Sequence, residues 1–329
     1  MDAALRPLLW DQHCCLPLSP LADVGELARY ARSGGSVVSA NVGYAPHSYD
    51  YVLSLLRAFR RGVAADERLV LASTTRDIRT ARDRGRVAVV FDLEDSAPLG
   101  GRLERVQELY DLGVRTMLPT YNRQNAAGSG CLDAVDGGLT EYGRALVRQM
   151  NAVGMVVDGS HCSIRTGLDL CDVSQRPVIF GHACMRTLWE HPRNITDEQA
   201  RACAATGGVI GITGVGIFLG PNDASVDALL RHVDHAVDLV GPEHVGLSTD
   251  FVFDERGLDV GPDDSYLFDE SYAQWDEIDD LPPERLLEVE DGLRDRGYPD
   301  EAVTAILGGN FLRVAEQVWK APSSTPSAA

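Results

Sequence analysis

The sequence is poor in basic residues. Its 329 residues include 30 Lys and Arg against 49 Asp and Glu, so the formal net charge is −19. A surface that binds nucleic acid needs clustered basic side chains to neutralise phosphates, and this composition offers no surplus of them. The charge balance therefore argues against nucleic acid as a partner.

Long apolar runs are also missing. No segment reaches the roughly 18 uninterrupted apolar residues of a membrane-spanning helix. The opening MDAALRPLLWDQH lacks the basic start and apolar stretch of a secretory signal. We therefore expect a cytoplasmic protein without a membrane anchor. With 44% hydrophobic and 24% charged residues, the chain has the composition of a globular protein that can bury a substantial core.

Cysteines occur in no pattern that would crosslink the chain. There are seven, an odd number, and Cys14 and Cys15 are neighbours, so a disulfide framework is not expected. No CxxC pair is present, which argues against structural zinc of the finger type. We expect reduced thiols, most of which act as small packing residues. Those assigned to packing are Cys131, Cys162, Cys171, Cys184 and Cys203.

Short β-branched apolar runs alternate with stretches of helical periodicity, for example 103–112 and 139–152. Eight such runs can be counted: 8–13, 37–42, 87–94, 114–121, 155–161, 177–182, 208–213 and 245–250. This alternation is typical of a parallel sheet. The sequence therefore predicts an α/β fold, a closed (β/α)8 TIM-like barrel, as a single domain over residues 1–320.

The apolar runs repeatedly end in a side chain that can bind metal or transfer protons. These residues are His13, Glu94, Tyr121, His161, His182 and Asp250. In a barrel, the carboxyl ends of all strands meet on one face, where the active site of this architecture lies. A single buried histidine is usually a packing residue, but so many reactive groups at strand ends indicate a functional site.

The residue types at these ends favour a metal centre. His13 and Cys15 are two apart in extended chain and share a face. With Glu94, His161 and His182 they form a set of nitrogen, thiolate and carboxylate donors, which favours zinc over magnesium or calcium. Five donors exceed the needs of one tetrahedral ion, so we expect two Zn²⁺ ions bridged by Glu94. Asp92, two residues earlier on the same face, is the alternative bridge.

Two stretches near the end of the chain stand apart. Residues 251–284 hold 12 acidic residues and one basic residue, Arg256, which gives 1 − 12 = −11. We interpret this segment as a loop insertion, either a solvated excursion or a lid over the site. Residues 321–329 are small, polar and proline-containing, and we expect a flexible tail.

Several motifs, in order and at consistent spacing, resemble the membrane (renal) dipeptidase family, the M19 group of metallopeptidases. They are DGSH at 158–161, PVIFGH at 177–182, HPRN at 191–194 followed by Asp197, GGVIG at 207–211, and GGNFLRV at 308–314. The resemblance covers almost the whole chain, and no single fragment carries it.

The resemblance implies a (β/α)8 barrel of the metal-dependent hydrolase type with a binuclear zinc site that hydrolyses dipeptides. It places His13 and Glu94 at metal positions, with Glu94 bridging, and His161 and His182 at the second metal. A hydroxide held between the metals would attack the carbonyl, and Asp250 would shuttle the proton. Arg193 would bind the terminal carboxylate of the substrate through its planar fork of donors; from the residues alone, a surface ion pair with Asp197 is the alternative.

The chain departs from the family pattern at two positions. Cys15 stands where the family has an aspartate, so it either ligates zinc or leaves the first site weak or sensitive to oxidation. Tyr121 stands where the mammalian enzymes have a substrate-contacting histidine, and its phenol can donate one hydrogen bond there.

Three functions follow from these observations. The first is a zinc dipeptidase that acts on small dipeptides, with a homodimer as the candidate assembly. The second is an M19-like amidohydrolase specific for a peptide-like metabolite of one pathway, and the third is a non-catalytic binding descendant with an impaired metal site. Of the remaining histidines, His232 and His235 lie three apart on a predicted helix and are interpreted as solvated.

Overall fold

A computed structural model describes residues 6–253 and 264–320. Ten strands occur in this part of the chain: β1 (Leu9–Cys15), β2 (Ser36–Asn41), β3 (Leu69–Leu71), β4 (Val87–Leu93), β5 (Val114–Met117), β6 (Val156–Asp158), β7 (Val178–Ala183), β8 (Val209–Thr213), β9 (Val245–Ser248) and β10 (Phe251–Val252). Eight of them, all but β3 and β10, follow one another in parallel around a sheet that closes where β1 pairs with β9.

The predicted TIM-like barrel is therefore confirmed, and each of the eight predicted runs overlaps one strand of the ring. The two additional strands were not predicted. β3 pairs with the first half of β4, while β10 continues beside β1 directly after β9. Both are very short, which is why no apolar run marked them.

The helices lie between the strands, as the alternating pattern predicts. They are α1 (Tyr49–Ala65), α2 (Thr75–Asp83), α3 (Arg105–Asp111), α4 (Glu141–Val153), α5 (Ile164–Val173), α6 (Asp197–Ala205), α7 (Gly216–Leu219), α8 (Val226–Val240), α9 (Glu270–Ala273), α10 (Leu286–Asp295), α11 (Asp300–Thr304) and α12 (Asn310–Val318). The π-helical turn Ala305–Gly309 joins α11 to α12. None of the helices in the described ranges has the length and apolar character needed to cross a membrane.

Side-chain alternation divides the core in two. On β4, Val87, Val89 and Phe91 belong to the large cluster that the helices cover, whereas Ala88 and Val90 belong to a smaller one. The smaller cluster also contains Phe311 of α12, whose ring lies 6.1 Å from that of Trp10. The strands are therefore apolar on both faces, as expected of a parallel sheet covered on both sides.

The acidic insertion is only partly described. Residues 254–263 and the predicted tail 321–329 lie outside the described residues. From residue 264 to 285 the chain forms a short helical turn at Ser265–Leu267, the helix α9 and a second turn at Pro283–Arg285.

His232 of α8 is buried, so its interpretation as a solvated residue is wrong. The backbone N–H of Met185 donates to its Nδ1 at 3.0 Å, and its Nε2 lies 3.1 Å from the carbonyl of Leu219. The ring is thus a neutral tautomer that carries its proton on Nε2 and joins α8 to the loop after β7 and to α7. Burial lowers the pKa of His232 from 6.5 to about 4.

The lowered pKa of His232 predicts that the free energy of unfolding decreases in acid. Between pH 6.5 and about 4 the unfolded chain binds a proton at His232 that the folded chain does not, so unfolding becomes easier as pH falls. The effect is at most about 1.4 kcal/mol per pH unit. His232→Gln should flatten the dependence of the unfolding free energy on pH in this window. His235→Gln on the same helix is the control, and an equal flattening there would contradict the assignment.

Candidate metal centre and active site

The barrel brings the predicted ligands together at the carboxyl ends of its strands. His13 and Cys15 lie at the end of β1, Glu94 directly follows β4, and His182 lies within β7. The ligand atoms form three overlapping groups with all distances below 4.8 Å: His13, Cys15 and Glu94; Glu94, His161 and His182; and His13, His182 and Asp250. Each predicted metal residue belongs to at least one group.

Glu94 is the centre of this arrangement. Its Oε1 lies 3.3 Å from Nε2 of His13, 3.4 Å from Nε2 of His161 and 3.2 Å from Nε2 of His182. The two imidazoles of His161 and His182 approach each other to 3.1 Å at Nε2. One carboxylate oxygen therefore faces three imidazole nitrogens that come from β1, β7 and the turn after β6.

The protonation of two of these imidazoles is set by acceptors behind them. Nδ1 of His13 lies 3.0 Å from Oδ1 of Asp92, and Nδ1 of His161 lies 2.7 Å from Oδ1 of Asn122. Asn122 keeps the His161 proton on Nδ1, so that neutral ring presents a lone pair at Nε2. Asp92 orients His13 in the same way, and a metal that displaced its second proton would meet a lone pair at Nε2. Lone pairs that point at a carboxylate oxygen repel it unless a cation lies between them. The donor set thus fits a metal ion on each side of Glu94.

The Glu94–His13 side carries the thiol and a second carboxylate. Sγ of Cys15 lies 3.3 Å from Nε2 of His13, and Oδ1 of Asp250 lies 3.5 Å from the same nitrogen. Asn41 at the end of β2 donates through Nδ2 to Oε2 of Glu94 and leaves Oε1 free. Burial raises the pKa of the Cys15 thiol to about 12; binding to a metal would reverse this, since a coordinated thiol loses its proton.

Neighbouring charges and burial shift the pKa values in this cluster in opposite directions. Desolvation raises the pKa of Glu94 and of Asp250 and lowers that of His161 and of His182. Burial alone would also lower the pKa of His13, but the negative charges of Glu94 and Asp92 outweigh it and raise that pKa. His161 and His182 are thus held as neutral imidazoles, the form that ligates metal.

Uncommon backbone conformations place three of the side chains. Asn122, His161 and Asp250 adopt a positive φ of 55°, 62° and 55°, a region that non-glycine residues seldom adopt and that Asn, His and Asp adopt more readily than most. The Asp250 N–H donates to the carbonyl of His13 at 3.0 Å, across the seam that closes the barrel. The carboxylate of Asp11 accepts from Thr249 on the other side of that seam, which holds the ends of β1 and β9 in register.

Asp158 and Gly181 hold the strand ends that carry His161 and His182. Oδ1 of Asp158 accepts from the N–H groups of Ser160 at 2.8 Å and of Gly181 at 2.9 Å. A Cβ at position 181 would lie 2.2 Å from Oδ2 of Asp158, so only glycine fits there.

Arg193 is buried beside the metal cluster, with 2% of its surface exposed, and not in a surface ion pair. Its Nη2 donates to the carbonyl of His182 at 2.6 Å. Asp197 contacts His235 at 3.0 Å and Thr187 at 2.9 Å. Nε and Nη1 of Arg193 have no hydrogen-bond partner among the described residues. Burying a guanidinium with two unpaired nitrogens costs free energy. This points to an anion that accepts hydrogen bonds from Nε and Nη1.

Tyr121 lies beside the candidate ligands, on the side of His161. Its ring stacks on that of His161 at 4.0 Å and lies 5.2 Å from the ring of Tyr44. Phe268, from the acidic segment, contacts Tyr121 edge-on at 6.3 Å. Phe268 therefore brings the described part of the acidic segment against the site.

A closed (β/α)8 barrel with grouped histidine, carboxylate and thiol donors at its carboxyl face defines a metallohydrolase. Residues 36–328 match the model of the membrane dipeptidase family, peptidase family M19. The chain belongs to this family and is by that membership a peptide-bond hydrolase, so the resemblance in its motifs is confirmed.

Individual relatives agree with the family. An uncharacterised protein in the pqqA 5′ region of Klebsiella pneumoniae is 31% identical over 77% of this chain and 90% of its own length. The dipeptidase verJ of Clonostachys rogersoniana is 32% identical over 77% of this chain and 61% of its own length. Among solved structures, an amidohydrolase of Pseudomonas aeruginosa superposes with a TM-score of 0.83 at 24% identity, over 95% of this chain and 97% of its own, and supports the fold.

Three residues that hold the ligands were not recognised from the sequence in this role. Asp92, the alternative bridge, lies behind His13 and also accepts from Ser39. Asn41 and Asn122 hold Glu94 and His161. Asn41 ends a predicted strand and Asn122 follows one, so position offered a signal, but neutral amides do not stand out among candidate ligands.

Proposed function

We propose that the protein is a zinc-dependent dipeptidase with two metal ions per chain. His13, Cys15 and Glu94 would hold one ion, and Glu94, His161 and His182 would hold the other. The observation that carries the proposal is the meeting of three histidine Nε2 atoms at one oxygen of Glu94. Nitrogen and thiolate donors favour zinc over magnesium and calcium. When bound, such a pair supplies an activated water and polarises the scissile carbonyl.

The other side chains provide binding and proton transfer. Arg193 binds the free carboxylate of the substrate through Nε and Nη1, which have no protein partner. Because the same guanidinium contacts the backbone of His182, this carboxylate lies close to the metal cluster. The short distance favours a dipeptide, since a longer peptide would place its carboxylate too far away.

Asp250 is the proposed proton shuttle, since its carboxylate lies 3.5 Å from Nε2 of His13 at the edge of the cluster. In the reaction the oxygen of water bonds to the carbonyl carbon and the C–N bond breaks. Asp250 accepts the proton that water loses and delivers it to the departing amine. Tyr121, whose ring stacks on that of His161, donates a hydrogen bond from its phenol to the carbonyl oxygen as negative charge develops there.

The experiment is direct. The purified protein is loaded with zinc, its metal content is measured, and a panel of dipeptides is tested for release of free amino acids. We expect the enzyme to hydrolyse dipeptides much faster than the corresponding dipeptide amides. A filled metal site with no cleavage of any dipeptide would overturn the proposal.

Cys15 provides a second, spectroscopic prediction. If the thiolate ligates the metal, the cobalt-substituted protein should show a near-ultraviolet sulfur-to-cobalt charge-transfer band that Cys15→Ser and Cys15→Asp both lack. We expect Cys15→Ser to lower metal affinity by about 10- to 100-fold, the range found when groups that support a site are lost. Cys203→Ser, a buried thiol elsewhere in the fold, is the control. A band of unchanged intensity in Cys15→Ser would exclude the thiolate as a ligand.

A further inference from the structure

The described part of the acidic segment brings two aromatic rings to the site. Phe268 lies just before α9 and Tyr272 lies within it, with ring centroids 5.1 Å apart. Phe268 contacts Tyr121, and Nδ2 of Asn122 donates to the hydroxyl of Tyr272 at 3.5 Å. The segment is therefore joined to the two residues, Tyr121 and Asn122, that lie against His161.

Tyr272 also reaches the surroundings of Arg193. Its ring lies 5.8 Å from that of Phe218 and 5.6 Å from that of His191. The guanidinium of Arg193 lies 5.6 Å from the centre of the Phe218 ring, and the backbone N–H of Arg193 donates to Nδ1 of His191 at 3.2 Å. Aromatic rings thus enclose the side of the site where the guanidinium lies.

The position of Arg193 relates these rings to the substrate. In a dipeptide, the free carboxylate and the carboxyl-terminal side chain branch from the same Cα, so the first side-chain atom lies only about 2.5 Å from the carboxylate carbon. A carboxylate held by Arg193 therefore places that side chain beside the rings of Phe218, His191 and Tyr272. Apolar and aromatic groups gain most from such an environment.

The charge of the segment adds a second selection. Residues 264–284 contain eight acidic residues and no lysine or arginine. The potential they create opposes a further negative charge on the substrate. A substrate with an acidic carboxyl-terminal side chain would face this potential, and the carboxylate that Arg193 binds already occupies the local positive charge.

Resting on the proposed dipeptidase function, we propose that Tyr272 and Phe268 determine specificity and select dipeptides with a large apolar or aromatic carboxyl-terminal residue. The acidic segment is then the element that defines the substrate class, because the barrel supplies the metal ligands and this segment supplies the wall beside the carboxylate.

The test compares dipeptides that differ only in the carboxyl-terminal residue: Ala-Gly, Ala-Leu, Ala-Phe and Ala-Glu with the zinc-loaded enzyme. We expect kcat/KM for Ala-Phe to exceed that for Ala-Gly by about 10- to 100-fold, the range that apolar pockets achieve, and Ala-Glu to be the poorest. Tyr272→Ala and, independently, Phe268→Ala should reduce the Phe-to-Gly ratio by about tenfold. Tyr266→Ala is the matched control, because Tyr266 belongs to the same segment but is 58% exposed.

The outcomes separate the two proposals. Hydrolysis with an equal preference for all four dipeptides, or a ratio unchanged in both variants, overturns the specificity assignment and leaves the dipeptidase function intact. If no dipeptide is cleaved by metal-filled protein, the function fails. Calorimetric binding of phosphinic dipeptide analogues with a benzyl group or hydrogen at the carboxyl-terminal residue then decides the specificity: equal affinities, or no binding, overturn it as well.

Discussion

Replacing Glu94 by glutamine is expected to lower kcat/KM for dipeptides by about a thousandfold or more and to reduce bound zinc from about two ions per chain to one or none. The reason is the position of Oε1, which faces Nε2 of His13, His161 and His182 at 3.2–3.4 Å. An amide oxygen carries no charge and cannot neutralise two cations. Because one atom serves both groups of ligands, a single substitution should weaken both sites.

Metal analysis and steady-state kinetics on the same preparation check this result. Glu104→Gln is the matched control, since Glu104 is an exposed residue that pairs with Arg102 on the surface. Thermal unfolding of the metal-free proteins shows whether the variant still folds. A Glu94→Gln protein that keeps two ions and normal activity would rule out the bridge.

Substitution of Arg193 by lysine is expected to cost about a hundredfold in kcat/KM for free dipeptides while metal content stays unchanged. Lysine keeps the positive charge but loses the planar fork, so two charge-assisted hydrogen bonds to the substrate carboxylate become at most one. The loss of one such bond corresponds to about 1.5–3 kcal/mol. The unpaired Nε and Nη1 of this buried side chain are the structural basis of the prediction.

A substrate pair sharpens the measurement. Dipeptide amides lack the carboxylate, so Arg193→Lys should reduce their slow hydrolysis much less than that of the free dipeptides. Arg201→Lys, an exposed arginine of α6, is the control. Equal losses on both substrates would show that Arg193 supports the fold or the metal ligands and does not bind the carboxylate.

The sequence predicted the barrel well because a short stretch of residues specifies each strand and each helix of this architecture. Each strand is a short apolar run and each intervening helix has its own periodicity, as the runs at 87–94 and 177–182 illustrate. The grouping of the candidate ligands at one end of the barrel was predictable for the same reason. A reactive side chain at the end of a parallel strand lies on the catalytic face, whatever the details of packing.

The distinction between ligands and the residues behind them could not be predicted in this way. Asp92 and Glu94 are carboxylates two residues apart at the end of β4, and only the structure shows that Asp92 lies 3.0 Å from Nδ1 of His13 while Glu94 lies 3.3 Å from Nε2. That difference depends on the side-chain rotamers and on the position of β1 relative to β4. Arg193 is similar, since its burial against His182 has no local signature.

By itself, the sequence determined the fold, the family and the residue types of the candidate metal centre, because these depend on periodicity and on motifs within short stretches. Only the tertiary structure decided that Asn41, Asp92 and Asn122 hold the ligands and that the acidic segment lies against the site. The physical reason is that hydrogen bonds and ring contacts need distances correct to a fraction of an ångström between residues far apart in the chain. Asn122 and Tyr272, 150 residues apart, are one such pair.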